Sequence, residues 1–341
     1  MRKTTRRIFL QDVLAAGGSF LLFQQGLFGK ERLKDPKETG EYPSYLKLYK
    51  SGELSRRVEV LYSHYENCTL CPRDCRVNRT QEELGKCQAS SKVKISNAFP
   101  HFGEESPLVG ENGSGTIFFS NCGLRCVYCQ NYDISIEGDG TEISDERLAE
   151  TMLRIQAFGC HNINFVTPTH YLPSIVNALN IAVPKGLHIP LVYNTSGYEK
   201  PDMLRLLDDV IDIYLPDFKY MDPGYAALYS SEAFNYPHYA RMAFKEMHRQ
   251  VGVFQYGPRR IARRGLMIRH LILPNGKSDT KDVLRFISKE ISKDSYVNLM
   301  RQYRPEYKAR EYPKIARRIS STEYRNALNW AEEFGLKRLT R

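Results

Sequence analysis

The 341-residue chain is long enough for one large α/β domain with additions, or for two ordinary domains. Its 42% hydrophobic and 26% charged residues are typical of a globular protein, and no stretch reaches the roughly 18 apolar residues that span a bilayer. The net charge of +10 comes mainly from residues 1–30 and 301–341, without a basic helix, stacking-aromatic motif or zinc-finger pattern. We therefore expect no membrane span and no nucleic-acid binding.

The N-terminus is basic and includes Arg6 and Arg7, and a moderately apolar run with small residues follows. This arrangement resembles a twin-arginine export signal at 1–30, which suits a protein that receives a metal cofactor before it is exported folded. The alternative is an uncleaved amphipathic helix, since no Ala-x-Ala cleavage site follows. We expect export to the periplasm or the outer membrane face, with the cytoplasm as the alternative location.

Residues 31–114 are richer in polar residues and include four of the eight cysteines. The pattern predicts a helical arm at 42–66, then a four-cysteine module (residues 68–87) with little regular structure. Its cysteines are spaced C-x2-C-x3-C-x11-C, at Cys68, Cys71, Cys75 and Cys87. Four thiolates make a closed site, so we expect a second metal centre, an iron–sulfur cluster or, as the alternative, a structural zinc.

From about residue 116, short apolar runs alternate with helical patterns. Strands are predicted at 116–120, 162–166, 189–193, 210–215, 265–273 and 296–300. Helices are predicted at 144–158 with Ser144 as N-cap, at 172–182, 200–208 and 279–291, and in a stretch after Asp222. Six such repeats indicate a parallel sheet covered by helices, closed as a barrel or open and doubly wound. In both folds the functional residues follow the carboxyl ends of the strands.

The chain ends with a loop rich in Tyr, Pro and Arg at 301–316 and a closing helix at 321–334. We thus predict four segments, which are the signal at 1–30, the arm and module at 31–114, the βα repeats at 115–300, and the C-terminal loop and helix at 301–341.

A three-cysteine loop (residues 120–131) follows the first predicted strand, with the pattern C-x3-C-x2-C at Cys122, Cys126 and Cys129. Such short gaps bring thiolates onto one ion or cluster rather than into disulfides. Zinc would need a further ligand such as His161 or His170, whereas a [4Fe–4S] cluster on three thiolates keeps one iron open to an exchangeable ligand. The last cysteine, Cys160, is expected to be a small buried hydrophobe.

The three-cysteine pattern, with aromatic Tyr128 between its last two cysteines, resembles the radical S-adenosylmethionine (SAM) superfamily over about residues 115–300. The order of motifs is similar to that of the pyruvate formate-lyase-activating enzyme group. It is most similar to an activating-enzyme-like branch with an upstream cysteine module and a sequence like Gly85-Lys86-Cys87. The resemblance implies an incomplete (βα)6 TIM-type barrel with an N-terminal cysteine-rich extension.

The resemblance implies a [4Fe–4S] cluster on the three-cysteine loop, with SAM on its open iron. Reduction by a low-potential electron donor would cleave SAM to a 5′-deoxyadenosyl radical that abstracts hydrogen from a substrate, with the cofactor supplying the chemistry. The activating-enzyme group acts on proteins, so the implied partner is a protein, in a glycyl-radical activase-like role. The alternatives are a small-molecule or peptide substrate, or a non-catalytic electron-transfer protein. We expect a monomer.

The resemblance also assigns SAM-binding positions, with Tyr128 near the adenine. The Gly-Gly-Glu stretch of the family is replaced by residues 167–170, where Thr167 and Thr169 keep oxygen acceptors for the SAM ammonium. Later loops and strands supply Asn194, Ser196, Asp217, Lys219 and Arg269. Asp217 and Lys219 are two residues apart and are expected on one side, Lys219 toward the SAM carboxylate, while an arginine within an apolar strand needs an anion or another acceptor.

Residues 302–305 resemble the C-terminal motif of the group and are expected at the mouth of the barrel, in partner contact or in packing. The predicted export signal conflicts with the expected reduction, because the usual electron donors of the family are cytoplasmic and would not reach an exported protein. Either the signal is unused or a membrane-linked donor exists, and the sequence supports both.

Overall fold

The structure is a computed structural model that describes residues 42–340. These residues belong to one compact unit, Thr39–Arg341. The predicted export signal at 1–30 and the first part of the predicted 31–114 segment lie outside the described residues. Among the described helices, none is both long enough and apolar enough to cross a membrane.

Two helices form the arm predicted at 42–66, α1 (Tyr45–Lys50) and α2 (Glu53–Ser63). They are separated at Gly52, whose φ of +76° is in the left-handed region that favours glycine. Leu54 and Leu61 are buried, and α2 packs against the later helix Leu172–Ala182. The arm is therefore part of the core.

The central sheet is mostly parallel. Its strands are β1 (Val93–His101), β2 (Ser114–Phe119), β3 (Thr141–Ile143), β4 (Ile163–Val166), β5 (Leu191–Thr195), β6 (Ile213–Pro216), β7 (Gln255–Tyr256), β8 (Ala262–Leu271), β9 (Tyr296–Met300) and β10 (Arg338–Thr340). The spatial order is β10-β9-β8-β6-β5-β4-β2-β1-β3, with β7 paired to β8. All pairs from β2 to β10 along this path are parallel, and β1 joins β2 and β3 antiparallel.

Helices follow most of the parallel strands. They are α3 (Ser106–Val109), α4 (Tyr132–Ser135), α5 (Asp145–Ala157), α6 (Leu172–Ala182), α7 (Pro201–Arg205), α8 (Pro223–Tyr229), α9 (Tyr236–Val251), α10 (Thr280–Phe286), continued by a π-helix (Ile287–Ile291), and α11 (Ser321–Glu333). Ser144 caps α5 as predicted, since its side chain accepts from the Arg147 N–H. The six predicted strands and their helices are confirmed, and the fold is a mixed α/β fold.

The two faces of the sheet are packed differently. One hydrophobic cluster includes Ile163, Phe165 and buried residues from most of the helices. A separate, smaller cluster includes Val192, Leu215 and Met267. Neighbours in sequence alternate between the faces of a strand, so the smaller cluster lies on the face opposite the main helical layer. Polar side chains continue this second face toward the carboxyl ends of the strands.

Two predicted strand starts were too early. β5 and β6 begin at Leu191 and Ile213, two and three residues after the predicted starts. Val210 and Ile211 are buried in the turn before β6, so their apolar character reflects packing rather than strand pairing. The pattern also missed β1, whose residues are nearly all half-buried, because half-buried residues give weak alternation.

Candidate metal and cofactor site

The three-cysteine loop begins directly after β2, at the carboxyl end of that strand. The Val127 N–H donates to the Tyr229 carbonyl at 2.9 Å, and the Val127 carbonyl accepts from the Lys308 N–H at 3.0 Å. Asn121 and Arg125 have φ values of +74° and +47°, in a region that non-glycine residues rarely adopt. The loop is thus a tightly folded turn, attached to the end of α8 and to the C-terminal loop.

Each thiol of this loop has a polar neighbour. The Cys122 Sγ accepts from a backbone N–H at 3.4 Å, and Ser230 and Ser135 place hydroxyls 3.0 Å from the sulfurs of Cys126 and Cys129. Burial raises the pKa of Cys126 and of Cys129, the latter to about 12, and the charges of neighbouring cysteines in the loop raise both pKa values further. The three thiols therefore lie close together, and a bound cation would favour the thiolate form of Cys126 and Cys129.

An ion network lies beside Cys126. The Asp217 carboxylate accepts from Lys219 Nζ and from Arg269 Nε, both at 2.8 Å. Arg269 also donates to the Asn194 side chain at 2.6 Å and is 3.5 Å from Glu104. Burial would raise the pKa of Asp217, but the two cations outweigh it and lower the pKa to about 2. Four of the sequence-predicted residues thus meet at the ends of three neighbouring strands.

Lys219 connects this network to the cysteines. Burial disfavours its charge, but Asp217 and then Cys126 raise its pKa above the usual value, and its own charge lowers the pKa of Cys126. Asp217 and Lys219 form an ion pair at 2.8 Å, although both follow β6, which ends at Pro216, rather than lying on the strand as predicted. Lys219 therefore lies between an internal carboxylate and a cysteine of the loop.

Thr167, Thr169 and Ser196 line one cavity together with Cys122 of the three-cysteine loop. Thr167 has a φ of +59°, and its N–H donates to the Asn194 carbonyl at 2.9 Å. The Thr169 hydroxyl donates to the Glu199 carboxylate at 2.6 Å. The 167–170 stretch lacks the glutamate of the family's Gly-Gly-Glu, but Thr169 in that stretch contacts the carboxylate of Glu199, from the loop after β5.

Glu199 was missed by the sequence analysis. It is 1% exposed, and its carboxylate accepts from the hydroxyls of Thr169, Thr195 and Tyr193. Burial raises its pKa to about 7, and these hydrogen bonds limit the rise. No sequence pattern marked it, because Gly197 and Tyr198 separate it from the polar stretch 194–196.

Tyr128 is 5% exposed within an aromatic group. Its hydroxyl pairs with the Tyr220 hydroxyl, and its ring meets those of Tyr220 and Tyr303 edge to face at 6.5 and 6.0 Å. Tyr303, from the 302–305 motif, is itself buried and donates to the Ile315 carbonyl at 2.7 Å. The motif therefore packs under the three-cysteine loop through Tyr303.

The four-cysteine module forms turns apart from a short 3-10 helix (Arg79–Gln81). Its four cysteines line one cavity together with Arg73, Arg79 and His170. The Lys86 N–H donates to the Cys75 sulfur at 3.3 Å. Burial raises the pKa values of Cys71 and Cys87, and backbone hydrogen bonds at Arg73 and Ala89 offset part of that rise. The structure thus brings all four predicted ligands together.

A Cβ at position 85 would lie 2.9 Å from the Cys75 sulfur, so glycine leaves room for this thiol. Between Tyr42 and Thr340, no three His, Cys, Asp or Glu side chains have the geometry of ligands to one metal ion. An iron–sulfur cluster makes a different demand, because each thiolate binds its own iron. Thiol donors grouped in threes and fours, supplied with N–H and O–H donors, fit such clusters.

Two buried polar groups near the ion network lack partners among the described residues. Both amide atoms of Asn164, a fully buried residue of β4, are unpaired, and so is one carboxylate oxygen of Glu105. The other Glu105 oxygen accepts from Asn298 at 2.9 Å. Buried polar groups are normally hydrogen-bonded, so these atoms indicate where a bound molecule or water makes contact. Sequence reasoning missed both, because Asn164 lies within an apolar strand and Glu105 lies in a loop before the predicted strands.

Comparison with known proteins agrees with this site. The family model for the radical SAM superfamily matches residues 116–234, which include the three-cysteine loop. An uncharacterized protein of Methanocaldococcus jannaschii is 34% identical over 301 residues, 85% of this chain and 82% of that protein. The pyruvate formate-lyase-activating enzyme of Clostridium pasteurianum is 30% identical over 135 residues, 38% of this chain and 56% of that enzyme.

The chain belongs to the radical SAM superfamily. Membership implies a [4Fe–4S] cluster and SAM, and the mostly parallel sheet is consistent with the partial barrel of the superfamily. The partial match to an activating enzyme also supports the predicted resemblance to that group.

Proposed function

We propose that this protein is a radical SAM enzyme that uses Cys122, Cys126 and Cys129 to hold a [4Fe–4S] cluster. When bound, the reduced cluster supplies the electron that cleaves SAM to a 5′-deoxyadenosyl radical, which abstracts hydrogen from the substrate. The observation that carries the proposal is the convergence of these three thiols at the carboxyl end of β2, beside the Asp217 ion network. The sheet would curve as an incomplete (βα)6 barrel around this site.

The chain's own residues would position SAM. Thr167, Thr169 and Ser196 line the cavity that reaches Cys122, and Asn194 is held by Arg269 next to it. Lys219, beside Cys126, offers a cation for the SAM carboxylate, while Asp217 keeps that cation charged. Tyr128 is buried against Tyr220 and Tyr303, so its role in adenine binding would be to shape the loop rather than to offer an open ring face.

The substrate class follows from the activating-enzyme similarity and is a protein in this proposal. An open cavity of about 530 Å³ lies where the C-terminal loop meets the start of α4. It is lined by three arginines and by the stacked rings of Tyr132 and Tyr307, 5.2 Å apart. Such a basic and aromatic surface supports contact with a polypeptide and gives the 301–316 loop a partner-binding role.

The other proposed components follow the sequence predictions. The four-cysteine module would bind a second metal centre, an iron–sulfur cluster or zinc, and a low-potential donor would reduce the protein. Export through the signal at 1–30 and a monomeric state remain predictions of the sequence.

The proposal is tested by SAM cleavage. We would reconstitute the full chain with iron and sulfide without oxygen, reduce it with dithionite, add SAM and measure 5′-deoxyadenosine. Cys126→Ala should form none, because the loop loses a ligand. Cys160→Ala is the matched control, since Cys160 is equally buried, belongs to the hydrophobic core as predicted, and lies outside both cysteine groups.

Product from the wild type and from Cys160→Ala, but not from Cys126→Ala, would support the proposal. An iron signal that SAM leaves unchanged, without product, would overturn it and favour an electron-transfer protein. If product forms, a candidate protein substrate should show a glycine-centred radical by EPR. Product that instead accompanies a modified small molecule or peptide would contradict the activase-like role alone.

A further inference from the structure

A buried cation, Arg79, lies beside the four-cysteine module, and no carboxylate among the described residues pairs with it. Arg79 is 1% exposed, and it donates to the carbonyls of His170, at 2.6 Å, and of Ser90. Its Nε is buried and has no partner among the described residues. Burying an unpaired guanidinium costs several kcal/mol, so a counter-charge is expected nearby.

The surroundings of Arg79 identify that counter-charge. The Arg79 guanidinium lies over the rings of Tyr65 and Tyr171, on the side of the module where its four cysteines share a cavity. Its guanidinium lies 4.5 Å from the centre of the Tyr65 ring, and its side chain lines the cavity shared by the four cysteines. Thiolates bound to a metal centre would carry the negative charge that balances the Arg79 guanidinium.

The module is also in contact with the three-cysteine loop. Arg73, between Cys71 and Cys75, donates to the carbonyls of Gly123 and Ser230, both at 2.9 Å. The Cys71 sulfur lies 3.9 Å from the Cβ position of Gly123, the residue after Cys122. Cys71, Cys87 and Cys122 line one cavity. A structural zinc would gain nothing from this proximity, whereas a centre that carries electrons requires it.

We infer that Cys68, Cys71, Cys75 and Cys87 bind a second [4Fe–4S] cluster, with Arg79 as its buried counter-ion, which passes one electron to the cluster on the three-cysteine loop. This inference rests on the proposed function for its electron acceptor. An external one-electron donor of low potential reduces the second cluster by one electron. That cluster is reoxidised as the first is reduced, and the electron then breaks the sulfur–C5′ bond of SAM to give methionine and the 5′-deoxyadenosyl radical.

Metal analysis tests the identity of the second centre without SAM. Cys122→Ala/Cys126→Ala/Cys129→Ala removes the first site and leaves the four-cysteine module intact. Purified without oxygen, this variant should contain about four irons and four sulfides per chain and give a cluster EPR signal after reduction. One zinc, or no bound metal in a folded protein, would overturn the inference.

The contact between the two centres has its own spectroscopic signature. In the fully reduced wild type, two neighbouring paramagnetic clusters should couple, so the EPR spectrum should be broadened and split. The comparison is the sum of the spectra of two variants, the triple alanine variant and Cys71→Ser/Cys75→Ser. A wild-type spectrum equal to that sum would contradict the contact. If Cys71→Ser/Cys75→Ser does not fold, the microwave-power saturation of the wild-type EPR signal is compared with that of the triple alanine variant.

A count of stored electrons tests the transfer. Wild-type protein is reduced, freed of dithionite by gel filtration and mixed with SAM. With both clusters in exchange, about two 5′-deoxyadenosines should form per chain, because each [4Fe–4S] cluster stores one electron. About one would overturn the transfer, whereas none would contradict the proposed function, while the metal and EPR results still decide whether the second cluster exists.

Arg79 has a test of its own in the triple alanine background. Arg79→Gln should shift the midpoint potential of the second cluster to a more negative value, since a nearby cation stabilises the reduced, more negative state. Arg76→Gln is the matched control, because Arg76 lies in the same module with its side chain 67% exposed. Equal potentials in the two variants would contradict the counter-ion role.

Discussion

The two cysteine groups differ in what surrounds their thiols. In the three-cysteine loop, serine hydroxyls lie near the sulfurs of Cys126 and Cys129, and Lys219 with its Asp217 partner lies beside Cys126. In the four-cysteine module, the groups near the sulfurs are backbone N–H groups and the fully buried Arg79. Three thiols leave one iron of a [4Fe–4S] cluster open to another molecule, whereas four thiols occupy every iron, which suits a centre that only carries electrons.

The largest effect should come from filling the space beside one module thiol. Gly85→Ala would place a Cβ 2.9 Å from the Cys75 sulfur and 3.0 Å from its Cβ, whereas Gly123→Ala meets its nearest atom, the Cys71 sulfur, at an ordinary 3.9 Å. We expect Gly85→Ala to lose most of the metal of the module and Gly123→Ala to retain it. Metal content per folded chain decides. Equal metal content in the two variants would contradict the enclosed geometry of the module.

The second largest effect should come from the Asp217 ion network beside the three-cysteine loop. Asp217→Asn leaves Lys219 and Arg269 facing each other without their shared carboxylate, and breaking a buried pair costs about 3 to 5 kcal/mol. We expect stability to fall by about 3 kcal/mol and SAM cleavage to fall with it, the lower value allowing for partial exposure. Denaturant unfolding measures the change, with Glu150→Gln on the exposed face of α5 as the control.

The connection between the two groups can be weakened by itself. Arg73→Gln removes two hydrogen bonds from a charged donor, worth about 1.5 to 3 kcal/mol each, to the three-cysteine loop and to Ser230. We expect both metal centres to form, with weaker EPR coupling between them and slower SAM cleavage. Unchanged coupling would show that the contact at Arg73 does not hold the two groups together.

The smallest expected effect concerns pH. Glu199 has a pKa of about 7 in the folded protein against about 4.5 when exposed, so the folded state keeps a proton that the unfolded chain releases between these values. Stability should therefore fall as pH rises from 5 to 7.5, and Glu199→Gln should reduce that slope. Asp212, with the same raised pKa, would keep part of it. Thermal unfolding at several pH values measures this, and an unchanged slope in Glu199→Gln would contradict it.

Much of this molecule could be predicted from local patterns. Helix α6 has the predicted bounds, strand β9 begins and ends as predicted, and the C-x3-C-x2-C spacing pointed to the correct superfamily. Such features depend on residues close in the chain, such as the apolar repeat of one helix or three cysteines within one turn. They remain visible in a single sequence for that reason.

The remaining features depend on residues distant in sequence that folding brings together. Arg79 gave no local signal, and only the fold buries it beside cysteines and the loop after β4. Likewise, Glu199 meets Thr169 across two loops, and Arg73 meets Gly123 across fifty residues. Burial and charge pairing are properties of a three-dimensional neighbourhood, so the sequence could predict two groups of cysteines, and only the tertiary structure places them in contact.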